Sequence, residues 1–343
     1  MHGAIVEQSS PVLSVILPVY SGLPYLRQAV ESVLMQSFTD FELIIINDGS
    51  SDGSAQLLET FNDPRIRLSH QTNRGLAATL NIAIRQARGR YIARQDQDDV
   101  CLPDRFAKQV AFLNANPKVG LLGTAAEIWV GADKTERVLR HPAKNSELQF
   151  GLLFNNYFVH SSVMLRKEVF DVVGNYVEDP LLQPPEDYEL WSRVARNYQV
   201  AKLPDVLLAY REVVGSMSRS GDRPFHQNLI RICADNLGHA SEQSSFNPSV
   251  LGLANLLHDR YGSIPPGVRL PALLDVIEQA AAGVGRRVHA DAGELEVAKR
   301  KKLREVRYRY IDYKCGGALS GLLRSRLGVM AKKMLLPSRQ KVR

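Results

Sequence analysis

Three carboxylates lie within four residues in the segment Asp96-Gln97-Asp98-Asp99. Carboxylates this close repel one another when ionised, and a divalent cation removes the repulsion. Mg²⁺ and Mn²⁺ prefer such oxygen ligands and keep positions open for phosphate oxygens, so the segment could assist the departure of a phosphate group. An equally weighted alternative is a solvated acidic turn, or a cap for the helix that begins near Pro103.

Two other acidic segments could also take part in chemistry. Asp48 opens the turn Asp48-Gly49-Ser50-Ser51-Asp52-Gly53 after a buried apolar run, and its carboxylate could accept hydrogen bonds from a nucleotide base or ribose. Glu186-Asp187 begins the pattern EDYELWSRVARN, where one carboxylate could take the proton of an attacking hydroxyl. Taken singly, an ordinary turn at Asp48 and helix-dipole stabilisation at Glu186-Asp187 are the favoured alternatives.

The elements that would hold these residues alternate between strands and helices. β-branched apolar runs predict strands at 13–20, 41–48, 66–68 and 90–93, and helical spacing predicts helices at 25–36, 54–61, 76–87 and 103–115. No hairpin signal separates them, so the sequence predicts a right-handed, mostly parallel α/β sheet. Ligands bind beyond the carboxyl ends of such strands, which is where Asp48 and the 96–99 segment fall.

Composition narrows the class of protein. Hydrophobic residues make up 45% of the 343 residues, enough for a packed core. Cys101, Cys233 and Cys315 are odd in number and far apart, which favours a reducing compartment over a disulfide framework or a thiolate metal site. We expect no secretory signal, and no apolar run reaches the length of about 18 residues that a membrane-spanning helix needs.

The charge is concentrated near the end of the sequence. Between Lys299 and Arg343 there are 15 Lys/Arg and 2 Asp/Glu, a local charge of +13 in a chain of net charge +7. The run 299–304 and the amphipathic segment 319–336 fit an interfacial helix on an anionic membrane surface. A solvated terminal helix is an equal alternative, and nucleic-acid binding is disfavoured because no recognised module is present.

Taken together, the motifs of residues 11–215 resemble glycosyltransferase family 2 of the GT-A fold. Each motif is weak alone, but their collinear order is specific. In chain order they are Pro18-Val19-Tyr20, Gln36, Phe41 to Asp52, Asn73-Arg74-Gly75-Leu76, Asn81, Gly89 to Asp99, Pro103, Arg105, Gln109, His160 to Arg166, Glu186 to Trp191, and Leu203 to Arg211.

The resemblance implies a fold and a set of domains. The fold would be a GT-A-type, Rossmann-like, mostly parallel sheet flanked by helices, with a C-terminal helical extension. We predict a catalytic domain over 1–217, with a nucleotide-sugar-binding half at 11–105 and an acceptor half at 106–217. A helical, basic accessory region would follow at 218–343.

The resemblance also implies roles for individual residues. Asp187 would be the catalytic base and Asp98 the metal ligand for Mn²⁺ or Mg²⁺. The residues implied in nucleotide-sugar binding are Pro18, Tyr20, Asp48, Arg74, Asp96 and Asp98. Those implied in supporting or acceptor contacts are Glu186, Asp99, His160, Trp191 and Arg211, with a core position favoured for Trp191 and a structural role equally open for His160.

The implied activity is inverting transfer of a sugar from a nucleoside-diphosphate donor to the hydroxyl of a glycan or lipid-linked acceptor. Its setting would be bacterial surface polysaccharide or glycolipid assembly, in the cytoplasm or on the inner face of the plasma membrane. A nucleotidyltransferase ranks lower because the first strand is not followed by a Gly-rich loop carrying Lys or Arg. A third alternative is an inactive, membrane-docked scaffold that binds nucleotide sugars, since Leu80 stands where many members carry Arg.

Overall fold

The computed structural model describes residues 10–213, 223–290 and 293–316. The chain divides into two compact units, Met1–Ile232 and Cys233–Arg343. This division falls inside helix α8 (Arg223–Ser241), whose Leu229 and Ile232 pack on the core of the first unit. The predicted boundary near residue 218 and the predicted amphipathic segment 319–336 both lie outside the described residues.

The first unit is built from alternating strands and helices in its first half and from a mixed set of elements in its second half. Its strands are β1 (Leu13–Val19), β2 (Phe41–Asp48), β3 (Ile66–Gln71), β4 (Tyr91–Arg94), β5 (Val100–Cys101), β6 (Val119–Val130), β7 (Asp133–Leu139), β8 (Met164–Arg166) and β9 (Gln199–Glu212). Its helices before α8 are α1 (Leu26–Leu34), α2 (Ser54–Leu58), α3 (Leu76–Gln86), α4 (Arg105–Ala115), α5 (Asn145–Leu152), α6 (Glu168–Val173) and α7 (Glu186–Asn197).

Within the described residues these strands form one sheet in the order β3-β2-β1-β4-β8-β6-β9-β5, and β7 pairs with β6 outside this path. Strands β3, β2, β1 and β4 run parallel. Strand β8 is antiparallel to both β4 and β6, whereas β6 and β9 are parallel to each other. The parallel half places the carboxyl ends of β1, β2 and β4 at one edge, where ligands of such sheets bind.

The predicted fold class is confirmed, and the parallel sheet extends over its first half. Strand–helix alternation holds through β4, after which the sheet becomes mixed. The unpredicted hairpin β6–β7 turns at Gly131-Ala132, and Gly131 has a φ of +58°. Glycine adopts this left-handed conformation without steric cost, so a signal for the hairpin was present in the sequence.

Burial of both faces explains why the strands of the parallel half read as continuous apolar runs. Along β2, Ile44 and Ile46 enter one core cluster, while Leu43 and Ile45 enter the cluster on the opposite face. This alternation is the two-residue period of a strand. Strand β1 continues through Pro18 to Val19, so the proline does not end it.

The second unit is helical where the structure describes it. Besides the second part of α8 it contains α9 (Pro248–Leu257), α10 (Leu270–Val288) and α11 (Glu296–Lys314). A Cβ at Gly283 of α10 would overlap the carbonyl oxygen of Ala240 on α8. Glycine at this position therefore permits α8 and α10 to approach closely. Among the described helices of both units, none combines the length and hydropathy required to cross a bilayer.

Glu42 ties three segments of the first unit together. Its buried carboxylate accepts hydrogen bonds from Ser14 Oγ at 2.7 Å, Arg67 Nη1 at 2.7 Å, and both the backbone N and the Nε of Arg88, at 2.7 and 2.9 Å. Burial raises the pKa of this carboxyl, but the donors outweigh that effect and lower it below its usual value. Because the folded-state pKa is depressed, ionised Glu42 stabilises the fold at neutral pH, and this contribution is lost as pH falls through that value.

Replacing Glu42 with Gln should lower the free energy of unfolding at pH 7 by about 1.5–3 kcal/mol, the range for hydrogen bonds to charged groups. The difference from wild type should shrink as the pH falls from the usual glutamate pKa through the lower folded-state value, because folded wild-type Glu42 then becomes protonated too. Urea denaturation at pH 7 and at a pH of about 3 measures both values. Glu31→Gln, an exposed residue 3.5 Å from Arg27, is the matched control and should change stability by less than about 0.5 kcal/mol.

Candidate active site

The acidic turn after β4 brings three carboxylates together as the sequence predicts. One oxygen from each of Asp96, Asp98 and Asp99 lies within 4.8 Å of the others. Asp96 and Asp98 are partly exposed, whereas Asp99 is buried. Asp96 and Asp98 are therefore the two members of this cluster that can meet a ligand in solution.

Asp99 is held by the protein itself. Its carboxylate accepts hydrogen bonds from Ser161 Oγ and from the backbone N of Arg211, the latter at 2.7 Å. Burial raises the pKa of Asp99 well above its usual value, with the charges of Asp96 and Asp98 acting in the same direction. This position suits the supporting role that the sequence suggests for Asp99.

Two buried arginines fix the backbone around the cluster. Arg211 on β9 donates from Nε to the carbonyl oxygen of Asp98 at 2.7 Å, and its guanidinium lies over the ring of Tyr25, 4.1 Å from the centroid. Arg105 on α4 donates to the carbonyl oxygen of Arg94 at 2.8 Å and to Gln95 Oε1 at 2.9 Å. The turn is thus clamped from both sides, with Arg211 as a positioning residue.

The second acidic pair begins α7. Asp187 is partly exposed and accepts hydrogen bonds from Asn156 Nδ2 and from the backbone N of Tyr188, both at 2.7 Å. Burial raises the pKa of Asp187 to about 6, against the effect of these two donors. Burial and the neighbouring charge of Asp187 raise the pKa of Glu186 to about 7. Both carboxyl groups therefore exchange protons near neutral pH, as a general base requires.

Arg94, the last residue of β4, connects the two acidic groups. Its side chain is 2% exposed and forms an ion pair with Asp96. Its positive charge opposes the pKa increases at both Glu186 and Asp187, while the negative charge of Asp96 adds to them. Adjacent residues also join the two groups, because His160 Nδ1 lies 3.8 Å from Glu186 Oε1 and Ser161 Oγ donates to Asp99, so the acidic turn and the start of α7 share one environment.

The charge balance of this environment favours a cation. Burial and the charge of Asp96 raise the pKa of Asp98 to about 6 despite the opposing effect of Arg94. The buried Arg211 opposes this increase as well, but the two arginines do not cancel it, so the cluster of carboxylates remains short of positive charge. The oxygen ligands, their mutual distance and this deficit fit a hard divalent ion such as Mg²⁺ or Mn²⁺.

His160 and Trp191 lie together beside the start of α7. His160 Nε2 lies 2.8 Å from the hydroxyl of Tyr176, and His160 Nδ1 lies 3.8 Å from Glu186 Oε1. Burial and the charge of Arg94 lower the pKa of His160 well below its usual value, so this imidazole is neutral. Trp191 is fully buried against His160 and Tyr176, so it belongs to the core and does not stack on a sugar.

The predicted nucleotide-binding residues lie at the carboxyl ends of the parallel strands. Pro18 is buried near the end of β1, and Tyr20 just beyond it is 54% exposed. Asp48 ends β2, and its carboxylate accepts hydrogen bonds from the backbone N of Arg74 at 2.8 Å and of Gly75 at 3.0 Å. Asp48 therefore shapes the turn that presents the exposed Arg74 side chain.

Several polar residues of the site were not singled out from the sequence. Gln97 links the β1 and β4 ends, because its side chain accepts from the backbone N of Tyr20 at 2.8 Å and donates to its carbonyl at 3.0 Å. Asn156 comes from a connecting segment whose spacing carries no signal, and Ser161 lies in the motif His160 to Arg166 without a role of its own being predicted. Arg94 did carry one, since a charged residue inside the buried strand YIAR needs a partner of opposite charge.

A structural comparison places this fold among the GT-A glycosyltransferases. The S. aureus protein TarS 1-349, solved in complex with UDP-GlcNAc, superposes with a TM-score of 0.59 at 19% identity, covering 89% of this chain and 92% of that one. The mannosyltransferase PcManGT from Pyrobaculum calidifontis, solved with GDP-Man and Mn²⁺, superposes with a TM-score of 0.50 at 18% identity, covering 89% and 88%.

Sequence comparison identifies the family. Residues 14–174 match the family described as glycosyl transferase family 2. The amylovoran biosynthesis glycosyltransferase AmsE of Erwinia amylovora is 33% identical over 190 residues, which cover 54% of this chain and 70% of AmsE. The chain belongs to glycosyltransferase family 2. The predicted enzyme class, a glycosyltransferase, is therefore confirmed, in preference to a nucleotidyltransferase.

Removing the Ser161 hydroxyl tests how Asp99 is held. In Ser161→Ala one oxygen of buried Asp99 loses its donor, so the free energy of unfolding should fall by about 1–3 kcal/mol. Urea denaturation at pH 7 measures this change. The exposed Ser51→Ala is the control and should stay within about 0.5 kcal/mol of wild type. Equal stability of the two variants would show that Ser161 does not support the turn.

Proposed function

We propose that this enzyme transfers a sugar from a nucleoside-diphosphate donor to an acceptor hydroxyl with inversion at the anomeric carbon. The observation that carries the proposal is the shared environment around Arg94. It joins an acidic turn able to hold a cation with a carboxyl group able to accept a proton near neutral pH. Direct displacement needs both functions, on the departing diphosphate and on the attacking oxygen.

The donor would bind across the ends of β1, β2 and β4. Tyr20 and Arg74 are exposed there and are available to the base and phosphates, with Pro18 and Asp48 shaping the pocket. Asp96 would lie by the ribose and phosphates. The nucleotide sugars bound by TarS and PcManGT support a donor of this class, though not a particular base or sugar.

Asp98 would hold the divalent cation, Mn²⁺ or Mg²⁺. Asp96 would lie beside Asp98, and Asp99 would support it from the buried side. When bound, such an ion supplies positive charge to the diphosphate as the bond to the sugar breaks. Arg211 contributes by fixing the Asp98 carbonyl and the Asp99 carboxylate, so the ligand set keeps its geometry. The Mn²⁺ in PcManGT supports this assignment.

Asp187 would accept the proton of the acceptor hydroxyl. The oxygen then attacks the anomeric carbon on the face opposite the departing diphosphate, and the configuration inverts. Asn156 orients the Asp187 carboxylate, while Glu186 and neutral His160 support it. Buried Trp191 would support these side chains by packing against His160.

The acceptor would be a glycan or a lipid-linked glycan in bacterial surface polysaccharide or glycolipid assembly. AmsE, whose name assigns it to amylovoran biosynthesis, supports this setting. We place the enzyme in the cytoplasm, with access to the inner face of the plasma membrane. Nucleic acid is not a proposed partner.

Two substitutions separate the proposed roles. Asp187→Asn keeps the size of the side chain and one accepting oxygen but removes the base, so kcat should fall by about 10²–10⁴-fold while donor affinity changes little. Asp98→Ala should abolish Mn²⁺ binding as well as transfer. Sugar transfer, donor titration by calorimetry and Mn²⁺ binding by electron paramagnetic resonance measure these effects. Full activity in both variants would overturn the proposal.

The pH profile tests the base more finely. Asp187 works deprotonated, and it titrates together with Glu186, so kcat/KM should rise with pH through about 6–7 and be lost below that range. Asn156→Ala removes a donor that lowers the Asp187 pKa. The rising part of the plot of kcat/KM against pH should therefore move to higher pH, by up to about one pH unit.

The exposed Asn62→Ala is the control for this shift and should leave the rising part of the pH profile unchanged. A profile that is flat between pH 5 and 8, or one that moves equally in both variants, would contradict the assignment of Asp187 as the base.

A further inference from the structure

Helix α11 exposes a surface that the glycosyl transfer proposed above does not use. Its opposite side is buried, with Leu303 and Val306 inside the second unit. The exposed side carries three apolar residues that face solvent: Val297, 78% exposed, Ile311, 52%, and Tyr308, 39%. Exposed apolar side chains are ordinary singly. Here Tyr308 and Ile311 are one helical turn apart, and Val297 lies on the same face about three turns before them.

The cations of α11 are sorted between its two sides. On the buried side, Lys299 pairs with Glu278 at 2.8 Å, Lys302 with Glu305 at 2.8 Å, and Arg309 with Asp259 at 2.6 Å. The pairs of Lys299 and Arg309 tie α11 to other parts of its own unit, whereas the Lys302 pair lies within the helix. The positive charges of these three residues are thus neutralised by carboxylates of the same unit.

On the exposed side the pattern is reversed. Lys301, Arg304 and Arg307 are exposed and have no carboxylate partner among the described residues. Arg300 lies between Ile311 and Arg307 on the same side, and it pairs with Glu296. Three cations therefore remain available to an external anion, and all three lie on the side that carries the exposed apolar residues.

The order of these residues around the helix shows how they act together. At about 100° per residue, Val297, Tyr308 and Ile311 fall within an arc of about 60°. Arg304 lies inside that arc, with Lys301 on one flank and Arg307 on the other. We call this set of six residues the α11 face.

An apolar centre with cations in and beside it matches the boundary between lipid headgroups and acyl chains. The apolar side chains would leave water for the acyl region, which is favourable. The long arms of the flanking lysine and arginine would let their charges reach the phosphates of anionic lipids. Aliphatic Val297 and Ile311 have no comparable contact with a nucleic-acid backbone, whose affinity comes from phosphate charge.

We propose that the α11 face docks the enzyme on an anionic lipid bilayer. The charge of the chain that follows has the required sign, because residues 317–343 contain seven Lys/Arg and no Asp/Glu. In the docked enzyme, the axis of α11 lies parallel to the membrane surface. The docking rests on α11 alone and stands whether or not the proposed sugar transfer is correct.

Flotation of the full chain with lipid vesicles tests the docking, in the absence of any sugar donor. Phosphatidylcholine vesicles with and without phosphatidylglycerol give the two arms. Wild type should bind the anionic vesicles, and a Lys301→Glu, Arg304→Glu, Arg307→Glu variant should bind at least about tenfold more weakly. A Val297→Ser, Ile311→Ser variant should also lose about tenfold, which charge attraction alone does not explain.

The matched control carries the same change of charge on the first unit, with Arg85, Lys118 and Lys144 each replaced by Glu. These side chains are exposed and have no carboxylate partner among the described residues. The control should keep most of its vesicle binding. All variants alter exposed positions, so their thermal unfolding should match wild type.

Three results would overturn the docking: equal loss in the control, wild-type binding by the α11 variants, or no preference for anionic vesicles. Binding of a single-stranded oligonucleotide that the α11 variants lose, without vesicle binding, would assign the face to nucleic acid and also overturn it. Donor hydrolysis in solution is measured separately. An enzyme that is active but does not bind vesicles would contradict only the docking. An enzyme that binds vesicles but is inactive would contradict only the proposed sugar transfer.

Discussion

The attraction between one buried arginine and a group of surrounding carboxylates organises the active site. Arg94 ends a buried strand, pairs with Asp96 and offsets charge at Asp98, Glu186 and Asp187. The raised pKa values show that this compensation is incomplete. Ionising such groups at neutral pH costs folding stability, since the unfolded chain releases their protons more readily. A bound cation would relieve that cost and release protons as it binds.

The site is built from segments that are distant in sequence, and hydrogen bonds to backbone atoms hold it in place. Arg105 and Arg211 fix the acidic turn through carbonyl oxygens, and Asn156 fixes Asp187. These contacts set the geometry without adding ligands to the cation site. The mixed half of the sheet matters here, because β9 brings Arg211 to the turn that follows β4.

The sequence predicted best what depends on local patterns. Apolar runs located the parallel strands, and the order of motifs located the acidic segments and the family. The antiparallel pairing of β8 with β4 and β6 was not predicted, because a local pattern can locate a strand but does not show which strands it pairs with. Asn156 was missed because its role depends on a tertiary contact, which spacing along the chain does not encode. Trp191 lies in the core, as its place on an amphipathic helix favoured.

The central claim is that both acidic groups face one cleft around one cation. Anomalous scattering from Mn²⁺ in crystals grown with a nucleoside diphosphate tests it directly. The expected result is a single Mn²⁺ peak bonded to the Asp98 carboxylate and to the diphosphate, with the Asp187 carboxylate opening into the same cleft. A peak on other residues, with Asp98 unligated or Asp187 closed off from the nucleotide, would contradict it.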